Sequence, residues 1–166
     1  MPETPAASQP TIGWREWALL PGLGGALVKA KVDTGARTSS LHAFDLNEFE
    51  RDGQIWVAFD IHPLQRDDAT VVHAEARLVD RREVRASSGE SELRPVVETE
   101  LELDGNRFPI ELTLTRRDAM GFRMLIGRLA LRRRFLVDPS RSYLGAESKA
   151  ERRRARSERK GAAMQS

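Results

Sequence analysis

The chain of 166 residues contains no cysteine. That excludes disulfides, thiolate catalysis and cysteine-based zinc sites, and makes a reducing cytoplasm the simplest compartment. Histidine is scarce: His42, His62 and His73 are the three present, and they are widely spaced. No His-Glu-x-x-His run occurs, so no metal and no other cofactor is expected. The sequence holds no P-loop, so any dependence on ATP would belong to a partner. No apolar run approaches the ~18 residues of a membrane helix. The opening "MPETPAASQP" has neither a basic start nor an apolar core, and no secretory signal is expected there.

What is present is a charged, globular composition, 31% charged and 40% hydrophobic, of a size suited to one domain. The formal net charge of +2 is unevenly spread. Residues 146–166 hold seven Lys/Arg and three Asp/Glu, 7 − 3 = +4, leaving 2 − 4 = −2 for the rest. Residues 1–11, with Pro2, Pro5 and Pro10, read as a disordered lead, 12–145 as the domain, and 146–166 as a basic tail. The tail's composition suits both an isolated helix and disorder.

The domain reads as mostly β. "IGWREWALL" and "GALVKAKV" are extended segments joined by the turn residues of "PGLGG". Those glycines do not make a dinucleotide loop, because Leu27 takes the third-glycine position and a strand follows. "QIWVAFDI" alternates Ile55, Val57, Phe59 and Ile61 against Trp56, Ala58 and Asp60. "TVVHAEARLV" and "REVRA" look extended, and "VVETELEL" and "RFPIELTL" flank the hairpin signal "DGN". "GRLALRRRF" predicts a short helix, followed by a strand at "FLVD" and another at "SYL". Many short strands at close spacing predict a barrel or sandwich.

Within "KAKVDTGARTSSLHA", Asp33 ends a strand and precedes Thr34 and Gly35. Gly35 permits a tight turn that brings backbone N–H groups near the carboxylate. Two such carboxylates within hydrogen-bond distance share one proton. One then serves as general base on water while the other donates to a substrate carbonyl, which suits peptide hydrolysis without a metal. Ordinary turn chemistry is the competing reading of the same tripeptide. Ser39, Ser40 and His42 resemble a nucleophile and base in type alone, and their adjacent strand positions do not suit a triad.

About ninety residues after Asp33 comes an apolar run into Gly127-Arg128. Val32-Asp33-Thr34-Gly35-Ala36 and Leu125-Ile126-Gly127-Arg128 together resemble the two motifs of the retropepsin-like aspartic peptidases, in order. "GWREWALLPGLG", "AKVDTGARTSSLHAFDL", "LVDRREV", "SSGESELRPV", "ELTLTRRDAMGFRMLIGR" and "FLVDPSRSYL" are similar to a bacterial family of small retropepsin-like proteins. Its members carry the label ATP-dependent zinc protease and are associated with an ATP-grasp ligase that adds glutamates to a ribosomal protein. The resemblance covers residues 12–145. It implies a mostly β, closed barrel of the acid-protease type with one short C-terminal helix.

The resemblance also implies roles. With one Asp-Thr-Gly per chain, Asp33 would meet Asp33 of a second copy across a two-fold axis, making a homodimer. Asp52-Gly53 and Asp104-Gly105 lack the threonine and sit in turn contexts. Thr34 would brace the paired loops, and Gly35 and Ala36 would let substrate backbone approach. "VRASSGESEL", with Ser88 and Gly89 at its tip, would be a flap over a peptide substrate; a solvated hairpin turn is the other reading. Arg37 departs from the family pattern, which has an acid there to pair with the late arginine. Arg128 therefore needs another partner, Asp118 or Glu16 being the candidates, and Arg37 with Arg128 is expected near the substrate. Arg37, with Arg81, Arg82, Arg85 and Arg94 around the flap, would favour acidic substrates such as oligoglutamate tails. Ordinary surface placement is the alternative for these arginines. A second function, from a different class, is a non-catalytic peptide- or ribosome-binding module, with the tail arginines Arg152, Arg153 and Arg154 as an electrostatic anchor.

Overall fold

The computed structural model describes residues 8–64, 70–85, 88–116 and 121–164. The strands are β1 Thr11–Gly13, β2 Arg15–Leu20, β3 Ala26–Val32, β4 Ser39–His42, β5 Phe44–Arg51 and β6 Gln54–Ile61. They continue with β7 Val72–Arg85, β8 Ser91–Leu103, β9 Asn106–Thr115, β10 Met124–Ile126 and β11 Leu136–Asp138. Two helices complete the fold, α1 Arg128–Leu131 and α2 Ala146–Met164.

Alternation builds the wall. Along β3 the side chains of Ala26, Val28, Ala30 and Val32 are buried while Leu27, Lys29 and Lys31 are half-exposed. The strands run in the order β2-β3-β10-β4-β9-β8, and β8 returns to pair with β2 through Leu19 and Glu102. That contact closes a six-stranded barrel. Val28, Leu41, Leu101, Leu112, Leu114, Met124 and Ile126 are fully buried inside it. The sheet then continues from β8 through β7 and β6 to β5. The expected mostly β, closed retropepsin-like barrel with one short helix, α1, is the architecture found. The "DGN" hairpin is also present: Asp104 and Gly105 have φ of 49° and 74°, the primed-turn geometry that matches strand twist.

Four expectations change. "IGWREWALL" is two strands, because the chain breaks at Trp14 and β1 leaves to pair in parallel with β11. "TVVHAEARLV" and "REVRA" fuse into the single strand β7, bulged between Leu78 and Asp80. "SYL" is not a strand. Tyr143 has φ 57°, and the amides of Leu144 and Gly145 donate to Glu16 at 2.8 Å each, to Oε2 and Oε1 respectively, instead of joining a ladder. The basic segment carries α2, whose start is fixed to the barrel. Asp104 Oδ1 accepts the Ala146 N–H (3.0 Å), and Ser148, buried, accepts the Trp17 N–H (2.9 Å). Residues 1–7 of the expected lead lie outside the described residues, and Thr11 already belongs to β1.

Glu16 is the centre of this docking. It is fully buried on the apolar parity of β2. Oε2 accepts the N–H of Gly13 (2.7 Å) and Leu144, and Oε1 accepts the N–H of Gly145 and the Ser148 hydroxyl (2.8 Å). A buried carboxylate is stable only when donors replace its water, and here both oxygens are filled. Glu16→Gln would turn an NH₂ group toward these donors. We expect a loss of about 2–3 kcal/mol in urea unfolding, and an unchanged midpoint would contradict the assignment.

Candidate active site

The site is assembled where three strands end. β10 lies between β3, which it pairs in parallel (Ile126 with Val32), and β4, which it pairs antiparallel (Leu125 with Ser40). Asp33 follows β3, and its N–H donates to the Ile126 carbonyl (2.9 Å). The chain then turns: Ala36 N–H donates to the Asp33 carbonyl (3.2 Å), and Gly35 N–H donates to Asp33 Oδ1 (3.0 Å). A Cβ on Gly35 would stand 3.2 Å from that oxygen, so the absence of a side chain lets the amide reach the carboxylate.

The late motif locks this loop from below. Gly127 N–H donates to Ser39 Oγ (3.0 Å), Arg128 N–H to the Ala36 carbonyl (2.7 Å) and Leu129 N–H to the Arg37 carbonyl (3.0 Å). A Cβ on Gly127 would meet the Thr38 carbonyl oxygen at 2.4 Å and its carbon at 2.5 Å, so the two backbones pass too closely for any other residue. The result is a half-buried Asp33 on a loop whose Thr34, Gly35 and Arg37 are exposed. A carboxylate oriented by its own loop and presented at the surface can take part in general acid–base chemistry.

The partner expected for Arg128 is not an acid among the described residues. Its Nη1 donates to the Thr34 carbonyl (3.0 Å). Glu16 is occupied by the amides of Gly13, Leu144 and Gly145 and by the Ser148 hydroxyl, and Asp118 lies outside the described residues. Arg128 thus supports the Asp33 loop through its backbone. Ser39 and His42 do not meet as a catalytic pair: Ser39 is buried with Oγ on Gly127, and His42 Nδ1 bonds Arg123 Nη1 (3.0 Å).

The flap segment is a ribbon. β8 pairs with β9 only from Val96 onward, so Ser91–Pro95 pair with β7 alone, up to Arg85 opposite Ser91. The exposed tip holds Ser88, Gly89 (φ 86°) and Glu90, while Ala86 and Ser87 lie outside the described residues. Its arginines are mostly engaged. Arg81 grips Glu48 through Nη1 (2.5 Å) and Nη2 (2.8 Å), Arg82 binds Glu111 (2.9 Å), and Arg94 binds Glu92 (2.7 Å). The Arg81 hydrogen bond holds the Glu48 carboxyl below its ordinary value. That contribution to ribbon anchoring is present above the unfolded carboxylate range and fades as pH falls through the lowered value. A free cationic field on the flap is therefore not what these pairs provide.

Nothing local in the sequence signals that two of the histidines converge. His42 and His62 both pack against Phe44, with ring centroids 4.3 and 4.1 Å away and the rings tilted by 38° and 46°, and His73 Nδ1 pairs with Asp60 Oδ1. Among the described residues no group of three or more His, Asp or Glu is placed to hold a metal ion.

A family model described as RimB-like, "Retropepsin-like aspartic endopeptidase RimB", matches residues 11–148, from β1 to the docked start of α2. A protein of Shewanella pealeana named probable alpha-L-glutamate ligase is 48% identical over 132 residues, 80% of this chain and 29% of that protein. One of the same name from Parasynechococcus marenigrum is 51% identical over 132 residues, 80% of this chain and 28% of its own length. The chain therefore spans less than a third of these relatives. A solved Legionella pneumophila protein of unknown function superposes with TM-score 0.68 at 27% identity, covering 82% of this chain and 98% of that one.

Gly127→Ala tests the interlock. The added methyl must displace the Thr38 backbone, and we expect a loss of at least about 2 kcal/mol in chemical denaturation. A fully stable variant would mean that the loop and α1 can separate freely.

Proposed function

The chain belongs to the RimB-like family of retropepsin-like aspartic endopeptidases, and on that premise we propose that it hydrolyses peptide bonds between the Asp33 carboxylates of two copies. The observation that carries this reading is the presentation of Asp33: oriented by Gly35 N–H, locked beneath by Gly127 and Arg128, and flanked by exposed Thr34. Such a loop supplies one carboxylate, and a two-fold related copy supplies the second.

In the proposed reaction the two carboxylates share one proton. The ionised one removes a proton from water as that water attacks the scissile carbonyl carbon; the protonated one donates to the carbonyl oxygen. Collapse of the tetrahedral intermediate breaks the C–N bond: the proton taken from water passes to the leaving amine, and the hydroxyl formed from the carbonyl returns its proton to the other carboxylate as the C=O re-forms. Thr34 would brace the paired loops, while Gly35 and Ala36 leave room for substrate backbone. Arg37, exposed beside the loop, and the ribbon tip at Ser88 and Gly89 would contact the peptide; Arg128 would keep Asp33 in place through Thr34.

Substrate and partner follow from the relatives as proposals. Because proteins named probable alpha-L-glutamate ligase contain a counterpart of this chain, we place the peptidase beside such a ligase, acting on acidic, glutamate-rich tails, on a ribosomal protein among others, in the cytoplasm. Among the described residues no helix is long and apolar enough to cross a membrane.

The test is incubation with oligoglutamate-tailed and neutral peptides, read by mass spectrometry across pH. We expect cleavage that survives a chelator, follows a bell-shaped pH profile, and falls at least about 10²-fold in Asp33→Asn. Loss in chelator would replace the dyad by a metal. No cleavage of any peptide would favour the binding-module reading.

A further inference from the structure

The wall beside the Asp33 loop has a face that the peptidase reading does not use. Along β4 and β10, Leu41, Met124 and Ile126 point into the barrel, so Ser40, His42, Arg123 and Leu125 alternate to the other side. Asp33, one residue past core-facing Val32, has the parity of that same outer side. From the loop, which begins where β10 ends, His42 and Arg123 are about three residues of strand away, roughly 10 Å. In register, His42 lies opposite Thr115, and Arg94, on the part of β8 that pairs with β7 alone, lines the same cavity as His42.

A cavity of about 540 Å³ opens on this row, lined by His42, Phe44, Asp45, Arg94 and Arg116 among others. Arg94 is 8% exposed and bonds exposed Glu92; Arg116 is exposed at the rim. Arg123, 7% exposed, bonds His42 Nδ1 and stands 5.9 Å over the Phe44 ring. Two guanidinium groups, of Arg94 and Arg116, thus share the cavity lining with the Asp45 carboxylate, and Arg123 stands behind them on His42. Arg94 is held nearly out of water, where charge-assisted hydrogen bonds are strongest.

We propose that this cavity is a subsite for an acidic side chain of the peptide, about three residues from the scissile bond. An extended peptide advances about 3.3 Å per residue, so the roughly 10 Å between loop and cavity corresponds to three residues. Acid preference then comes chiefly from Arg116, exposed at the cavity, with Arg94 shared between Glu92 and the ligand, and not from Arg81 and Arg82, which are paired with Glu48 and Glu111. The proposal rests on the peptidase reading for the position of the scissile bond, but not for the binding itself.

Binding separates the two. In an Asp33→Asn background, which leaves peptides intact, fluorescence anisotropy is measured with labelled pentaglutamate and pentaglutamine. We expect pentaglutamate to bind more tightly, and Arg116→Glu, at an exposed position, to weaken it about tenfold while leaving pentaglutamine unchanged. Arg94→Gln is expected to act in the same direction, with its unfolding curve measured alongside. Equal binding of the two peptides, or an acid preference untouched by Arg116→Glu, overturns the subsite. Intact preference with no cleavage of any peptide by the unsubstituted protein sinks the peptidase reading and leaves the subsite standing.

Discussion

The passage of Gly127 against the backbone of Thr38 is the constraint on which the site depends. A Cβ at this position would stand 2.4 Å from the Thr38 carbonyl oxygen, so only glycine fits. Because it fits, the first turn of α1 can donate its free N–H groups to Ala36 and Arg37, and Arg128 can reach Thr34. One close contact thereby joins two segments about ninety residues apart and fixes the direction of Asp33. The helix is a single turn, too short to be stable by itself; its hydrogen bonds to the loop and its buried Ala130 and Leu131 keep it folded.

A second polar centre organises the other end of the chain. Glu16 gathers β1, the segment at Leu144 and Gly145, and the start of α2 around one buried carboxylate. Asp104, at the tip of the β8–β9 hairpin, adds a bond to the same helix start. Beyond it, Arg154 is bound to Glu151 and Glu158 along the helix, which offsets part of the positive charge that the sequence concentrates there. The barrel is thus tied by apolar alternation within and by two polar junctions at its margins.

The strands were legible because β2, β3, β6 and the β8–β9 hairpin each carry alternation or turn chemistry within a few residues. The pairing of Asp33-Thr34-Gly35 with Gly127-Arg128 was legible through family resemblance, since no local rule brings such distant segments together. Glu16 was considered only as a partner for Arg128. Its real signal was a charge on the buried parity of a strand, between Gly13 and Ala18, a position that demands donors from elsewhere. Arg123 carries a similar sign, a buried cation leading into the run "MLI". The stacking of His42, Phe44 and His62 had none, because it forms where β4, β5 and the end of β6 meet in space.

The central claim is that two Asp33 carboxylates act together. Unsubstituted and Asp33→Asn protein should be mixed in known ratios, allowed to exchange subunits, and assayed on one cleaved peptide. Activity should fall as the square of the unsubstituted fraction, to about one quarter at equal mixing, because only dimers with both carboxylates work. A linear fall, to about one half, would mean that each chain acts alone, and would contradict the shared dyad.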